Sequence, residues 1–325
     1  MLLQTLNVDK YCKYTTIPII LLLIFLFLFT SFYKGVAAGG DLKYDTMDKC
    51  LDSQCYQFGI VLFVCFCIYL LSYGFFRNYP IQSFGVIILL FISTLANIVI
   101  NDTFDGVFEY VKYISISVGV IILAATRFYS ATNYKTPNLL SKNSVSWVLL
   151  LILGLNIAEA CYTDFKDEKY YNLIAGIILL ITIPTPVSNL LGNNKNNNWG
   201  DLLGINKNNS YDFVFKTPMV WVLMYIIWNM CFSYSSRKEH FATIVVVLLT
   251  TLFSDFPNSL SNIPWLFMQC RVYTLFIRYV ILGWDDVYEK YADSSNWYNE
   301  DISNYWGLIN MISFIVILIY CHFNK

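Results

Sequence analysis

The sequence predicts an all-α, polytopic integral membrane protein with about ten transmembrane helices, or nine if the first is a cleaved signal. Hydrophobic residues make up 57% of the 325 residues, and many of them fall in long uninterrupted runs. Charged residues make up only 13%, whereas soluble domains carry about 25%. The aromatic content of 18% suits interfacial belts and closely packed helices.

Ten apolar runs are the candidate spanning helices. They cover residues 16–32, 58–75, 84–100, 113–125, 145–160, 173–191, 218–233, 241–253, 265–284 and 305–323. A helix of about 20 residues matches the roughly 30 Å hydrocarbon core of a bilayer. Small residues at Val36 and Ala38 follow the first run, which is therefore either a cleaved signal or a retained helix. The run 241–253 is short and either spans obliquely or re-enters the membrane.

An Asn-rich segment divides the predicted membrane domain into two halves. Residues 192–217 predict a connector loop in which LLGNNKN nearly recurs as LLGINKN. Two copies at this short period are too few for a repeat architecture. Residues 1–191 then form an N-terminal half of six helices, and residues 218–325 form a C-terminal half of four.

The run 265–284 is unusual because it carries two arginines. Arg271 and Arg278 are seven residues apart, so they share one helix face, with Thr274 between them. An arginine at the centre of a spanning helix costs roughly 2.5–3.5 kcal/mol on insertion scales. Either both side chains snorkel to opposite interfaces, or they line a polar cavity. The residues predicted to line such a cavity are Arg271, Arg278, Thr274, Asn229, Glu159 and Asn156.

Glu159 is the acid that falls within a predicted apolar run, close to the end of that run. It is therefore either a carboxylate at headgroup level or the counterion of a buried arginine. The alternating order of the helices places it nearer to Arg278 than to Arg271. We predict that Glu159 pairs with Arg278, which leaves Arg271 to Asn229, Gln269 or backbone carbonyls of the sixth helix.

Pro184 and Pro186 interrupt the sixth run, 173–191. A helix cannot continue regularly through two such prolines, because each lacks an N–H and its ring clashes with the preceding turn. Broken helices free backbone groups that transporters use to bind ions or substrates at mid-membrane. The alternative is an ordinary proline kink without a ligand.

A polar loop ahead of residue 58 contains Cys50 and Cys55. They form a local disulfide if this loop faces an oxidising compartment, and otherwise remain two free thiols. Ten spans place both termini on the same side of the membrane. Lysines and arginines are nearly balanced between the two sides, but acidic residues concentrate in the odd-numbered loops. On this ground the N-terminus and the C-terminus are predicted to be cytoplasmic.

Several classes of function are disfavoured by composition. Only two histidines, His240 and His322, are present, which excludes a multi-histidine metal centre. A net charge of −1 argues against a nucleic-acid partner. No P-loop, dinucleotide-binding glycine motif, zinc-protease motif or EF-hand is found, so no cofactor and no metal are predicted. The predicted partners are membrane lipid and a small solute or lipid ligand.

Three functions remain open. The first is transport or channelling of a small polar or anionic solute through an arginine-lined cavity. The second is a membrane-embedded enzyme in which the arginines hold the phosphate of a lipid and Glu159 or His240 acts as acid or base. The third is a structural or assembly protein in which these polar groups only pair with each other.

Overall fold

The computed structural model consists of nine helices and one small β-hairpin over the residues that it describes. Those residues are 54–101, 104, 107–132, 134–135, 137–184, 202–206, 211–253, 259–284 and 293–323. The predicted first helix at 16–32 lies outside them, as do Pro186 and Cys50. The predicted disulfide between Cys50 and Cys55 therefore stays a prediction.

The helices follow one another with few interruptions. They are α1 (Gln54–Asn78), α2 (Pro80–Asn101), α3 (Val107–Thr132), α4 (Lys142–Lys166), α5 (Tyr170–Ile181), α6 (Met219–Ser236), α7 (Phe241–Phe253), α8 (Ser259–Trp284) and α9 (Glu300–Phe323). Strands β1 (Leu202–Asn206) and β2 (Asp212–Phe215) pair antiparallel between α5 and α6. Each apolar run predicted from residue 58 onward contains or overlaps one of these helices.

Seven of the described helices are long and apolar enough to cross a membrane: α1, α2, α3, α4, α6, α8 and α9. This agrees with the prediction of a multi-pass membrane protein. The predicted count of ten spans is not confirmed, because α5 has 12 residues and α7 has 13. Helices of that length extend about 18–20 Å, well short of the hydrocarbon core.

Local sequence explains where several helices begin and end. Pro80 is the first residue of α2. A proline disfavours helical backbone at the residue before it, so α1 and α2 are separated at Tyr79. The Ser141 hydroxyl caps α4 by accepting a hydrogen bond from the Ser144 N–H at 3.3 Å. Glu168 has a φ of 58°, and this left-handed residue turns the chain from α4 into α5.

The predicted break in the sixth run is present, but the run is not a spanning helix. Helix α5 ends at Ile181, three residues before Pro184, and the Thr182 hydroxyl donates to the Ile178 carbonyl at 2.7 Å. The prediction of a helix over 173–191 was therefore too long. The physical reason is the one given by the sequence: proline cannot donate the backbone hydrogen bond that would extend the helix.

Helix α8 lies at the centre of the bundle. It packs against α1, α2, α3, α6 and α7 and against strand β2. In its apolar window 78% of the residues are buried, whereas the corresponding share is 22% in both α2 and α9. Helices α2 and α9 therefore form the periphery, and their exposed apolar side chains suit contact with lipid.

The helix ends group into two faces, because the described helices alternate in direction. On one face, called the hairpin face, β2 meets the ends of α1 and α3. On the opposite face, the link between α6 and α7 contacts the link between α8 and α9, where Ser294 N–H donates to the Glu239 carbonyl at 3.2 Å. There the Lys169 ammonium, between α4 and α5, also lies 3.5 Å from Glu300 at the start of α9.

Candidate functional site

A cavity of about 160 Å³ lies between α3, α4, α6, α7 and α8. Its lining reaches the opposite face, since it includes the start of α3 and the ends of α4, α6 and α8. The polar and charged residues that line it are Glu109, Lys112, Asn156, Glu159, Asn229, Arg237, His240, Arg271 and Arg278. Five of the six residues predicted for a polar cavity are therefore brought together. Whether they bind a ligand stays a prediction.

Thr274 is the predicted lining residue that does not line this cavity. Its hydroxyl donates to the backbone carbonyls of Cys270 at 2.9 Å and of Arg271 at 3.2 Å. Hydrogen bonds of this kind to the preceding turn are usual for threonine in an apolar helix, where the hydroxyl finds no other acceptor. Sharing a helix face with two arginines did not place Thr274 in the cavity wall.

Arg271 is buried, with 8% of the residue exposed. Its Nε donates to the Tyr225 hydroxyl at 3.3 Å, and its guanidinium carbon lies 5.8 Å from the centre of the Tyr225 ring. The Nη1 atom has no hydrogen-bond acceptor in the described part of the chain. The predicted partner Gln269 is engaged elsewhere, since its amide binds Asp212 and the Phe213 backbone. The Arg271 guanidinium is thus hydrogen-bonded through Nε, whereas its Nη1 has no acceptor among the described residues.

Glu159 has a different partner from the one predicted. Its Oε2 accepts from the Lys112 ammonium at 2.7 Å, so the predicted pairing with Arg278 is wrong. Its Oε1 is buried and has no hydrogen-bond partner among the described residues. The reason is that α3 begins at Val107, earlier than the predicted residue 113, which places Lys112 in a helix beside the end of α4.

Arg237 and His240 were not predicted as lining residues, because the sequence places them in a connection between helices. His240 lies in a single helical turn, Lys238–His240, between α6 and α7. Burial, together with the charges of Arg278 and Arg237 and against a smaller opposing effect of Asp293, lowers the pKa of His240 from 6.5 to about 3. The imidazole is therefore neutral at pH 7, in a site dominated by positive charge.

The described lining carries more positive than negative charge. Four basic residues, Lys112, Arg237, Arg271 and Arg278, face this space together with two acidic residues, Glu109 and Glu159. His240 adds no charge at neutral pH. A cavity with a net positive lining attracts anions, because a cleft lined by one sign of charge focuses the electrostatic field. The arrangement therefore suits an anionic ligand.

An aromatic wall closes one side of the cavity. Tyr225, Trp228 and Phe232 of α6 line it, and the rings of Trp228 and Phe232 are stacked with centres 6.1 Å apart. Trp221, one turn earlier, stacks on Tyr225 at 5.5 Å and is fully buried. The Trp228 indole N–H donates to the Asn172 carbonyl at 3.0 Å. This stripe is tightly packed, so its main role is structural support for the cavity.

A second, smaller cavity of about 30 Å³ adjoins the first. Asn156, Tyr225, Arg271 and Leu275 line both spaces. Apart from these residues its walls are apolar, from α3, α4 and α8. Arg271 thus stands at the boundary between a charged compartment and an apolar one.

A separate ionic cluster closes the hairpin face. The Asp212 carboxylate of β2 lies 2.9 Å from Arg77 Nη2 and accepts from Gln269 Nε2 at 2.8 Å. Arg127, which is fully buried, lies 4.0 Å from the same carboxylate and donates to the carbonyls of Tyr211 and Phe76 and to the Tyr273 hydroxyl. This Asp212 cluster anchors the hairpin to α1, α3 and α8.

Another buried acid was missed in the sequence. Asp164 near the end of α4 is fully buried and accepts from the Asn172 amide at 2.7 Å. No local sequence pattern indicates its burial, because Asp164 follows the predicted run 145–160 and was therefore interpreted as a loop residue.

Comparisons with protein-family models, with curated proteins and with solved structures found no match to this chain.

Proposed function

We propose that this protein binds a small anion in the cavity around Arg271 and transports it across the membrane. The observation that carries the proposal is the state of that arginine. It is buried in a helix long and apolar enough to span a membrane, and its Nη1 lacks an acceptor among the described residues. A guanidinium at membrane depth has a high free-energy cost unless it faces a polar path or binds a ligand.

The two faces of the bundle support a transport cycle. The cavity reaches the opposite face through Lys112, Arg237 and His240, which lie near helix ends. On the hairpin face lies β2, whose Phe213 and Phe215 are buried in the core. Irregular backbone at membrane depth is tolerated where it is enclosed by protein, and transporters place such segments beside their binding sites. Movement of the hairpin would open the second side.

Anion uptake by proteoliposomes tests this function. The full chain is reconstituted, and currents are recorded after rapid exchange to chloride, phosphate or sulfate. We expect transient currents with at least one of these anions, and at least a tenfold loss in Arg271→Gln. Lys135→Gln, which removes an exposed positive charge outside the cavity, is the matched control and should behave as the unchanged protein. Equal currents in empty liposomes, or in Arg271→Gln, would refute the proposal.

A second function, a membrane-embedded enzyme acting on a phosphate-bearing lipid, is favoured by one feature. His240, Glu109 and Glu159 line the same cavity as three arginines, so proton-transfer groups and phosphate-binding groups meet. Incubation with vesicles of phosphatidic acid, followed by lipid analysis and assay of released phosphate, distinguishes the two. Turnover that is lost in His240→Gln, without any anion current, would favour the enzyme.

A further inference from the structure

Two orphaned polar atoms of opposite type occur in residues that line one cavity. Arg271 Nη1 is a hydrogen-bond donor without an acceptor, and Glu159 Oε1 is an acceptor without a donor, both within the described residues. Each belongs to a side chain whose other end is fixed, by Tyr225 for the arginine and by Lys112 for the glutamate. Leaving a buried charged group without a hydrogen-bond partner destabilises the fold more than leaving a neutral group without one. A ligand that satisfies both atoms would remove this penalty twice.

The required ligand must accept a hydrogen bond from a guanidinium and donate one to a carboxylate. Chloride has no proton to donate, and sulfate is fully deprotonated at neutral pH. Hydrogen phosphate and dihydrogen phosphate keep at least one P–OH group beside their charged oxygens. Singly protonated phosphate monoesters have the same combination near pH 6, where their second proton dissociates.

We infer that the anion bound in this cavity is a protonated phosphate group, either inorganic phosphate or the phosphate of a monoester. This inference rests on the proposed function and names its ligand. Arg271 donates to the phosphate oxygens, and Glu159 accepts from the P–OH group. Lys112 is a positioning residue, because its ammonium binds the other oxygen of Glu159 at 2.7 Å and fixes the orientation of that carboxylate.

Charge and size agree with this ligand. The described lining has four basic and two acidic side chains, a positive balance that suits an anion. The cavity of about 160 Å³ resembles in volume an engineered cavity of about 150 Å³ that holds benzene. Phosphate, with five heavy atoms, fits such a space. The apolar cavity of about 30 Å³ beyond Arg271 has room for about one methylene-sized group of an ester.

Selectivity between phosphate and sulfate is the decisive measurement. The full chain is placed in nanodiscs of phosphatidylcholine, and binding of phosphate, sulfate and chloride is measured by calorimetry at pH 7. We expect phosphate to bind at least tenfold more tightly than sulfate. Glu159→Gln should abolish this preference, because the amide can donate to sulfate. Glu300→Gln, an acid-to-amide change at an exposed position on the same face, should retain it.

The outcomes separate the two proposals. Sulfate binding as tight as phosphate binding in the unchanged protein overturns the inference, even if Glu159→Gln fails to fold. A phosphate preference that survives in folded Glu159→Gln also overturns it. Arg271-dependent binding of any anion without selectivity leaves the proposed function standing. If none of the three anions binds and no currents are recorded, both the proposed function and the phosphate inference are refuted.

A further arm identifies the source of the phosphate group. Nanodiscs that contain phosphatidic acid are compared with nanodiscs of phosphatidylcholine alone. If the site takes a lipid headgroup, phosphatidic acid competes and weakens inorganic phosphate binding at least tenfold, and Arg271→Gln removes this competition. If the ligand is a soluble phosphate, glycerol 3-phosphate competes and phosphatidic acid does not. Either result supports a phosphate site, whereas competition by neither contradicts a site for phosphate monoesters and leaves inorganic phosphate as the ligand.

Discussion

Replacement of Asp212 by asparagine tests whether the Asp212 cluster holds the hairpin in place. Asparagine keeps the shape of the side chain but removes the negative charge. In the structure this carboxylate accepts from Arg77 Nε at 3.2 and 3.0 Å and from the Gln269 amide, and its side chain is 2% exposed. The substitution therefore removes the negative charge of Asp212 from beside two guanidinium groups, those of Arg77 and Arg127.

The expected loss of stability follows from this geometry. Removing one partner of a buried ion pair typically destabilises a protein by about 3–5 kcal/mol. We expect about 3 kcal/mol, the lower end, because backbone carbonyls of Tyr211, Phe76 and Arg77 still accept from the Arg127 guanidinium. With an unfolding entropy of about 2.1 cal/mol/K per residue over 325 residues, the midpoint of thermal unfolding should fall by about 4 °C.

Thermal unfolding of the purified protein in detergent measures this shift. Glu300→Gln is the matched control, since Glu300 is 72% exposed and its oxygen lies 3.5 Å from the Lys169 ammonium. An exposed pair of this kind contributes about 1 kcal/mol or less. If Asp212→Asn and Glu300→Gln lower the midpoint by the same amount, the cluster does not anchor the hairpin and the reasoning fails.

Three further predictions concern the cavity and its supporting wall. Because the His240 pKa is about 3 in the fold and about 6.5 when unfolded, the unfolded state takes up the proton first. Stability should then fall as pH drops from 6.5 toward 3, by up to about 1.4 kcal/mol per unit, and His240→Gln should flatten this part of the unfolding profile. Gly176→Ala should destabilise the protein by about 1–3 kcal/mol, because the new Cβ would lie 2.5 Å from a cysteine sulfur and 2.9 Å from Trp228. Gly85→Ala is the control: its Cβ would meet no atom within 4 Å, so it should not destabilise the protein. A smaller midpoint shift in Gly176→Ala than in Gly85→Ala would contradict this packing. Trp228→Phe should cost about 0.5–1.5 kcal/mol, because it removes the indole hydrogen bond to the Asn172 carbonyl, which keeps its backbone partner within α5, and an unchanged unfolding midpoint would speak against that hydrogen bond.

Hydropathy was sufficient to predict most of the helices, because membrane-spanning helices need long apolar runs. The central position of α8 could also be predicted from the sequence. Two arginines in one apolar run indicate burial inside a bundle, and Arg271 and Arg278 both line the cavity. The helix break at Pro184 followed from the chemistry of proline alone.

Hydropathy could not predict which side chains pair between different helices. Glu159 pairs with Lys112, and no local pattern shows which helix ends are neighbours among the nine α-helices of the described residues. Arg127 was missed because the apolar run 113–125 stops just before it, although α3 continues to Thr132. The hairpin was predicted as loop, since its burial depends on residues from three other elements rather than on its own sequence.

The order of residues along the chain also sets the order in which the Asp212 cluster assembles during synthesis. Arg77 and Arg127 leave the ribosome before Asp212, whereas Gln269 follows it. The nascent hairpin can therefore form its ion pairs at once, while the helix that covers β2 has yet to be made. Until α8 is made, β2 lacks the contacts that this helix supplies. Synthesis of this arginine-bearing helix also completes the cavity, because the other helices that line it come earlier in the chain.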